Sequence, residues 1–527
     1  MIYFIPAWDK EQRNQLSTDG LTGQIKAFME ADNDYSVVIM DYNPELHYFL
    51  HQLDLLESNT VSLYDRLQLN QPIDQKALTF SDLIFPKEAY MVYTPFNILV
   101  YCEGEQIGKV TLGRASQILE VVHYSEQSMS EVEIYDDRGF LSSRKHYENG
   151  TLLYTELLDI FGNWIFREFY ESGCCELNKE NAKGLIKQTY TNKEELQFEL
   201  LHHFLSEFKS DDALVMSVTD KNIEEIKKCP YLENMTLSVF QNRWSWYKEE
   251  KEDFFEIFEK VNAVIVDTEV SFKELKTRVT EKEKNKIFNL TPYDTRFELS
   301  ISQEMKEEVL YLEARSLNDE ELAQTIEILL DYMTTPLQEE NNQRSFKVII
   351  RTESHNEKEK VTDHIEQLLY ERYALEIDVL SQIKPAQKKE NTIEEEKLEQ
   401  QYPKLSLARQ LKEAWDVQHV TNEEALFKII HEARLIIDLS DVPDLLTQIA
   451  GISAAIPQIN TKESDYIHDG KNGKIIKDRT ELPVTLSYYL DTLQHWQKAR
   501  AFSAQQIKNF SGGQLREKLC HIIGKKP

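Results

Sequence analysis

The residues of this chain that could do chemistry sit where short apolar runs end. Leu435-Ile436-Ile437 is closed by Asp438 and followed by Leu439-Ser440-Asp441-Val442-Pro443-Asp444. Carboxylates at Asp441 and Asp444 could accept hydrogen bonds from hydroxyl groups, strengthened by their charge. Arg315 ends the run that starts at Glu308; it offers a site for an anion, or a partner for a nearby acid. Trp8 follows Tyr3-Phe4-Ile5-Pro6-Ala7, and Trp244 and Trp246 follow the run that ends at Phe240. An indole at the carboxyl end of a strand could stack on the CH faces of a sugar or on an extended chain. The same indole turned inward would simply pack a core. The five cysteines contain no Cys-x-x-Cys pair and are odd in number, which argues against a disulfide framework or a zinc site. No metal, cofactor or catalytic group is expected.

These residues need elements to hold them. Leu435–Asp438 reads as a strand buried on both faces. Ser440 or Asp441 could cap the next helix, with Pro443 in its first turn. Small residues at Ala450, Gly451, Ser453, Ala454 and Ala455 would let that helix lie close to a sheet. Ile456–Ile459 reads as a further strand, and Asp469-Gly470-Lys471-Asn472-Gly473 as a sharp turn into a last one. Similar strands are expected at Tyr3–Pro6, Tyr35–Met40, Ala213–Val218, Met235–Phe240, Val264–Glu269, Glu308–Arg315 and Phe346–Thr352. Val92-Tyr93, Ile98–Cys102 and Lys109–Leu112 read as strands too. From about Gln117 the period falls to two. Gly139, Gly150, Gly162 and Gly173 are spaced 11, 12 and 11 apart in turn-like contexts, the signature of an antiparallel meander. Its aromatic alternation makes it a core surface or, if projecting and uncovered, a surface for partners. Gln382–Lys404 is polar and reads as an inserted loop.

Length and charge bound the rest. At 527 residues two to three domains are expected. The net charge of −31 repels phosphate backbones and argues against nucleic acid as a partner. The amino terminus lacks a signal-peptide pattern, and no apolar run approaches the roughly 18 residues of a membrane span. A cytoplasmic protein without an integral membrane segment is expected.

The order strand, helix, Ala455-Ile456-Pro457, strand and Asp-Gly-x-Asn-Gly turn resembles the nucleotide-sugar half of retaining GT-B glycosyltransferases. That resemblance implies an α/β fold of two Rossmann-like domains. The first would comprise residues 1–116 and 177–285, with an antiparallel β-meander inserted at 117–176. The second would cover 286–500, and the helices of 501–527 would cross back to the first. It also implies where a donor sugar would be held. The positions of the two donor-site glutamates fall on Val442 and Ala450, neither of which can accept a hydrogen bond. Arg315 stands at the arginine that meets the donor diphosphate, and Glu321 stands where the family has a lysine.

The meander, the opening Tyr3–Trp8 and this altered donor site together resemble the first of the accessory Sec system proteins of Gram-positive cocci. What that implies is a non-catalytic glycosyltransferase-like component of serine-rich repeat adhesin export. It would bind carbohydrate or the glycosylated or nascent adhesin, in a cleft bearing Trp8, Trp244, Trp246 and Arg315. Implied partners are two sister accessory Sec proteins, the accessory Sec motor ATPase and the adhesin, with recruitment to the inner face of the membrane. The alternative is an active retaining glycosyltransferase whose donor site uses Asp441 or Asp444.

Overall fold

The structure is a computed structural model of residues 1–527. It describes the chain outside residues 9–19, 32–33, 70, 72–75, 77, 96, 114–115, 182–183, 241–251, 296–297, 339–343, 377–378, 381–397, 399, 421 and 527. Three sheets carry the fold. In spatial order, the first consists of Ile287–Asn289, Ala263–Val266, Met235–Val239, Ala213–Ser217, Ile2–Ile5, Tyr35–Ile39 and Thr60–Ser62, all parallel. The third consists of Trp415–His419, Phe346–Thr352, Glu308–Glu313, Leu435–Asp438, Gln458–Asn460 and Gly473–Ile475, again all parallel.

Both parallel sheets are covered on both faces, which is why their strands read as near-continuous apolar runs. Alternation sends Val38, Leu214, Met216 and Val264 into one core and Phe4, Val37, Val215 and Ile265 into another. In the third sheet Leu310, Leu312, Leu435 and Ile437 face one side, and Tyr311, Val309 and Ile436 the other. Leu435, Ile436 and Ile437 are fully buried, and each contributes about 1.5–3 kcal/mol by leaving water.

Strand order reverses direction at the middle of each parallel sheet. In the first sheet this happens between Ile2–Ile5 and Ala213–Ser217, in the third between Glu308–Glu313 and Leu435–Asp438. The loops leaving adjacent strands there run to opposite sides and open a crevice at the carboxyl ends.

The second sheet has ten antiparallel strands and runs from Tyr90–Tyr93 to Thr189–Tyr190. It is wider at both ends than the 117–176 read from the glycine spacing. Strands Tyr90–Tyr93, Ile98–Cys102 and Glu105–Leu112 pair with it, but their turns do not share that spacing. The sheet projects only in part. Leu157, Ile165, Phe166, Cys175 and Leu177 pack into the first domain's core with Tyr64 and Leu196, whereas Ile98, Val100, Val110 and Val121 form a separate small core.

The chain returns to the first domain later than residue 501. Helix Leu493–Gln506 stays on the second half, where Ala499 is core and the Trp496 indole donates to Arg434 O at 2.7 Å. Helix Gly512–Ile522 makes the crossing: Leu515, Leu519 and Cys520 pack with Phe4 and Phe28. Among the described residues no helix is long and apolar enough to cross a membrane.

Candidate interdomain site

A cavity of about 830 Å³ lies between the two halves. Each half lines it with the loops that leave its strands. Phe240 and Asp267-Thr268-Glu269 come from the first sheet. Arg315, Glu353, Asp441–Leu446 and Lys462–Tyr466 come from the third. The two halves touch through Asp465, whose carboxylate accepts from the Glu269 amide at 3.0 Å and from Asn289 Nδ2 at 2.7 Å.

The turn after Leu435–Asp438 explains where the helix begins. Asp438 accepts from the Ser440 amide and hydroxyl and from the Asp444 amide at 2.8 Å. Ser440 is therefore spent inside the turn, and Asp444 rather than Ser440 or Asp441 caps helix Leu445–Ser453, accepting from the Thr447 amide. Burial pushes the Asp438 carboxyl up to about 7, with the nearby Glu313 charge adding to it.

Arg315 stands at the mouth of the third sheet's crevice and is already occupied. Its Nε meets Glu313 Oε1 at 2.8 Å and its Nη2 meets Asp444 Oδ1 at 2.8 Å. Arg351, 1% exposed, reaches the other oxygens of the same two acids at 3.1 and 3.3 Å. Tyr311 donates to Glu313 at 2.9 Å and Thr447 to Asp444 at 2.7 Å. Burial disfavours the Arg315 charge, but Asp444 and Glu313 outweigh it and raise the guanidinium above its usual range. Burial likewise works against the Asp444 carboxylate, yet Arg315 and Arg351 hold it down at about 2. To grip a diphosphate Arg315 would have to leave these carboxylates. Breaking a buried pair typically costs about 3–5 kcal/mol.

The remaining charge of the cavity is acidic. Among the described residues its lining holds seven carboxylates against the three cations Arg315, Lys273 and Lys462. Lys273 lies 3.5 Å from Glu269 and Lys462 3.2 Å from Asp441. A field of this sign works against a bound diphosphate.

Of the positions singled out by resemblance, only some reach the cleft. Val442 lines the cavity and is 59% exposed, while Ala450 is fully buried against Leu446, Ala454 and Ile456. Glu321 lies outside the lining. It pairs with Arg479 at 3.1 Å and exchanges hydrogen bonds with Asn318 at the start of helix Asp319–Gln338. Trp8 is not at this cleft. It is 3% exposed, its indole donates to Thr22 Oγ1 at 3.3 Å, and its ring meets Phe49 edge-on at 5.4 Å. The ring is turned inward because the cluster around Phe4, Phe28 and Phe49 receives it; a smaller cavity of about 260 Å³ touches it. Trp244 and Trp246 lie outside the described residues.

Sequence reasoning missed Glu313, Arg351 and Gln448. Gln448 lines the cavity and is fully buried, yet among the described residues neither amide atom has a hydrogen-bond partner. Each unmet group costs about 1–3 kcal/mol. The only signal was a glutamine inside the apolar run Leu445–Ala450.

Two Rossmann-like halves facing each other across a cleft at their strand-order reversals define a GT-B architecture. The glycosyltransferase-type fold is shared with TarM of Staphylococcus aureus, solved with UDP, at a TM-score of 0.64, 12% identity, and coverage of 100% of this chain and 99% of that one. Within that architecture the chain belongs to the family of the first accessory Sec system protein, whose model matches residues 1–525. A relative of that description in Streptococcus gordonii is 27% identical over 549 residues, covering 98% of this chain and 97% of its own. The structure of accessory secretory proteins 1, 2 and 3 of Streptococcus pneumoniae contains a chain similar at a TM-score of 0.75. It is 27% identical, with 99% of both chains covered. Family membership places the chain in the accessory Sec system.

Proposed function

We propose that this protein is a non-catalytic glycosyltransferase-like component of adhesin export. It acts in the cytoplasm, bound to two sister accessory Sec proteins, and serves the accessory Sec motor ATPase. Its cleft holds carbohydrate or a glycosylated or nascent segment of the serine-rich repeat substrate instead of an activated sugar. The observation that carries this is Arg315 clamped between Glu313 and Asp444. Val442, Ala450 and Glu321 fit the same reading, since the first two offer no hydroxyl acceptor and the third is acidic. The pneumococcal structure of accessory secretory proteins 1, 2 and 3 supports the choice of partners. The alternative, an active retaining enzyme using Asp441 or Asp444, has two observations against it. Asp444 is held by Arg315 and Arg351, and Asp441 is 90% exposed beside Lys462.

Release of nucleotide from UDP-N-acetylglucosamine and UDP-glucose tests the reading. The expected rate equals that of a protein-free blank. A rate above the blank that Arg315→Ala abolishes would overturn it.

A further inference from the structure

We propose that the interdomain cavity binds a short extended segment of polypeptide carrying lysine or arginine. This rests on the reading of the cleft as a non-catalytic binding site and names what enters it. Three observations carry it. First, among the described residues the lining of the cavity is acidic, and its cations are already paired with Glu313, Asp444, Glu269 and Asp441. Second, among the described residues Glu353 and Glu463, both exposed and both lining the cavity, make no ion pair. They are left to receive an incoming ammonium or guanidinium, whose hydrogen bonds to a carboxylate are charge-assisted. Third, Gln448 holds a buried primary amide whose donor and acceptor are both unmet among the described residues.

A backbone peptide group offers one N–H and one C=O, the complement of what Gln448 lacks. Exposed apolar side chains of the lining, Val270 and Val442, give the ligand's aliphatic stems a surface to lie along. A volume of about 830 Å³ is in the range of sites for small ligands, so it takes a few residues of chain and no folded domain. A nucleoside diphosphate meets the wrong sign of charge along this rim.

The test uses the full chain and two labelled peptides, Gly-Ser-Lys-Ser-Lys-Ser-Gly and its counterpart with glutamate for lysine, read by fluorescence anisotropy. The lysine peptide is expected to bind, more weakly as salt rises, and the glutamate peptide not to bind. The double variant Glu353→Gln/Glu463→Gln should weaken the lysine peptide by about threefold or more, given the size of charge-assisted contacts. Both positions are exposed, so folding should be unaffected. Gln448→Leu should weaken it as well, without lowering the melting temperature, because it removes an unmet amide. Absence of lysine-peptide binding overturns the proposal. So does a smaller loss in the double variant, which marks generic attraction to an acidic protein, or an unchanged affinity in Gln448→Leu. None of these outcomes requires sugar transfer, so failure here leaves the non-catalytic reading standing, and that reading is tested separately by nucleotide release.

Discussion

At the scale of residues, the chemistry of the cleft is decided by which partners its charges already have. Arg351→Met leaves Glu313 and Asp444 without the buried half of their cation pair. We expect a loss of about 3–5 kcal/mol, measured by urea unfolding followed through the second domain's fluorescence. The pH dependence follows from Asp444, whose carboxyl is held at about 2 against 3.8 for the free group. Its folded pKa is depressed, so its stabilisation is complete above about pH 4–5 and is lost as pH falls towards 2. The size is on the order of 2 kcal/mol. Comparing acid unfolding of the parent and Asp444→Asn should show a shallower fall in the variant; equal curves would contradict this. Trp8, by contrast, acts through packing. Because its indole is buried and bonded to Thr22, Trp8→Ala should lower stability by about 3–5 kcal/mol. A protein that melts unchanged would show that the ring is not core. That Trp8 follows a strand could be read from the sequence, but which side its ring would take could not.

At the scale of elements, local chemistry was legible and long-range partnership was not. The four spaced glycines do adopt positive φ, between 68° and 91°, as turns of a meander require. Ala455, at the end of the helix before Ile456-Pro457, also takes a positive φ, 55°. The Asp-Gly-x-Asn-Gly turn is held by buried Asn472, which accepts from the His468 amide and donates to Tyr466 O, both at 2.8 Å. The Glu313–Arg351–Asp444 cluster, by contrast, joins residues 38 and 93 apart in sequence, and no local pattern announces it. At Gly139, φ is 91° and an added Cβ would lie 1.8 Å from Lys76 O. Gly139→Ala should therefore loosen the junction of the antiparallel sheet, costing about 1–3 kcal/mol and speeding amide exchange there. The outer edge strand Tyr90–Tyr93 exposes Tyr90, Val92 and Tyr93, the kind of edge that pairs with another chain unless charge blocks it. Val92→Lys/Tyr93→Lys should keep the melting temperature and reduce recovery of the sister proteins in affinity purification from the native cell. Undiminished recovery would show that this edge is not a partner surface. Deleting 117–176 would be a poor substitute, since Leu157, Phe166 and Cys175 belong to the first domain's core.

At the scale of the whole molecule, a GT-B architecture encloses a cleft whose described lining is mainly acidic. The strand-order reversals still open a crevice between the halves, and helix Gly512–Ile522 still ties the chain back to the first domain. This much was legible because it depends on the order of apolar runs and turns. The acidic character of the cavity was not, because its carboxylates come from separate loops of both halves, brought together only by folding. Catalysis by this fold depends on preorganised positive charge where the diphosphate lies, and one missing donor of that kind can cost about 10²–10³-fold in rate. The most direct test of the proposal that the cleft holds no sugar donor is the melting temperature of the full chain with and without millimolar UDP-N-acetylglucosamine. A ligand at a hundred times its dissociation constant adds about 2.7 kcal/mol to stability, which a melt resolves readily. Superimposable curves are predicted, for the parent and for Arg315→Ala alike. A rise in the parent that Arg315→Ala removes would show that Arg315 leaves Glu313 and Asp444 to hold the donor, and would contradict the non-catalytic reading.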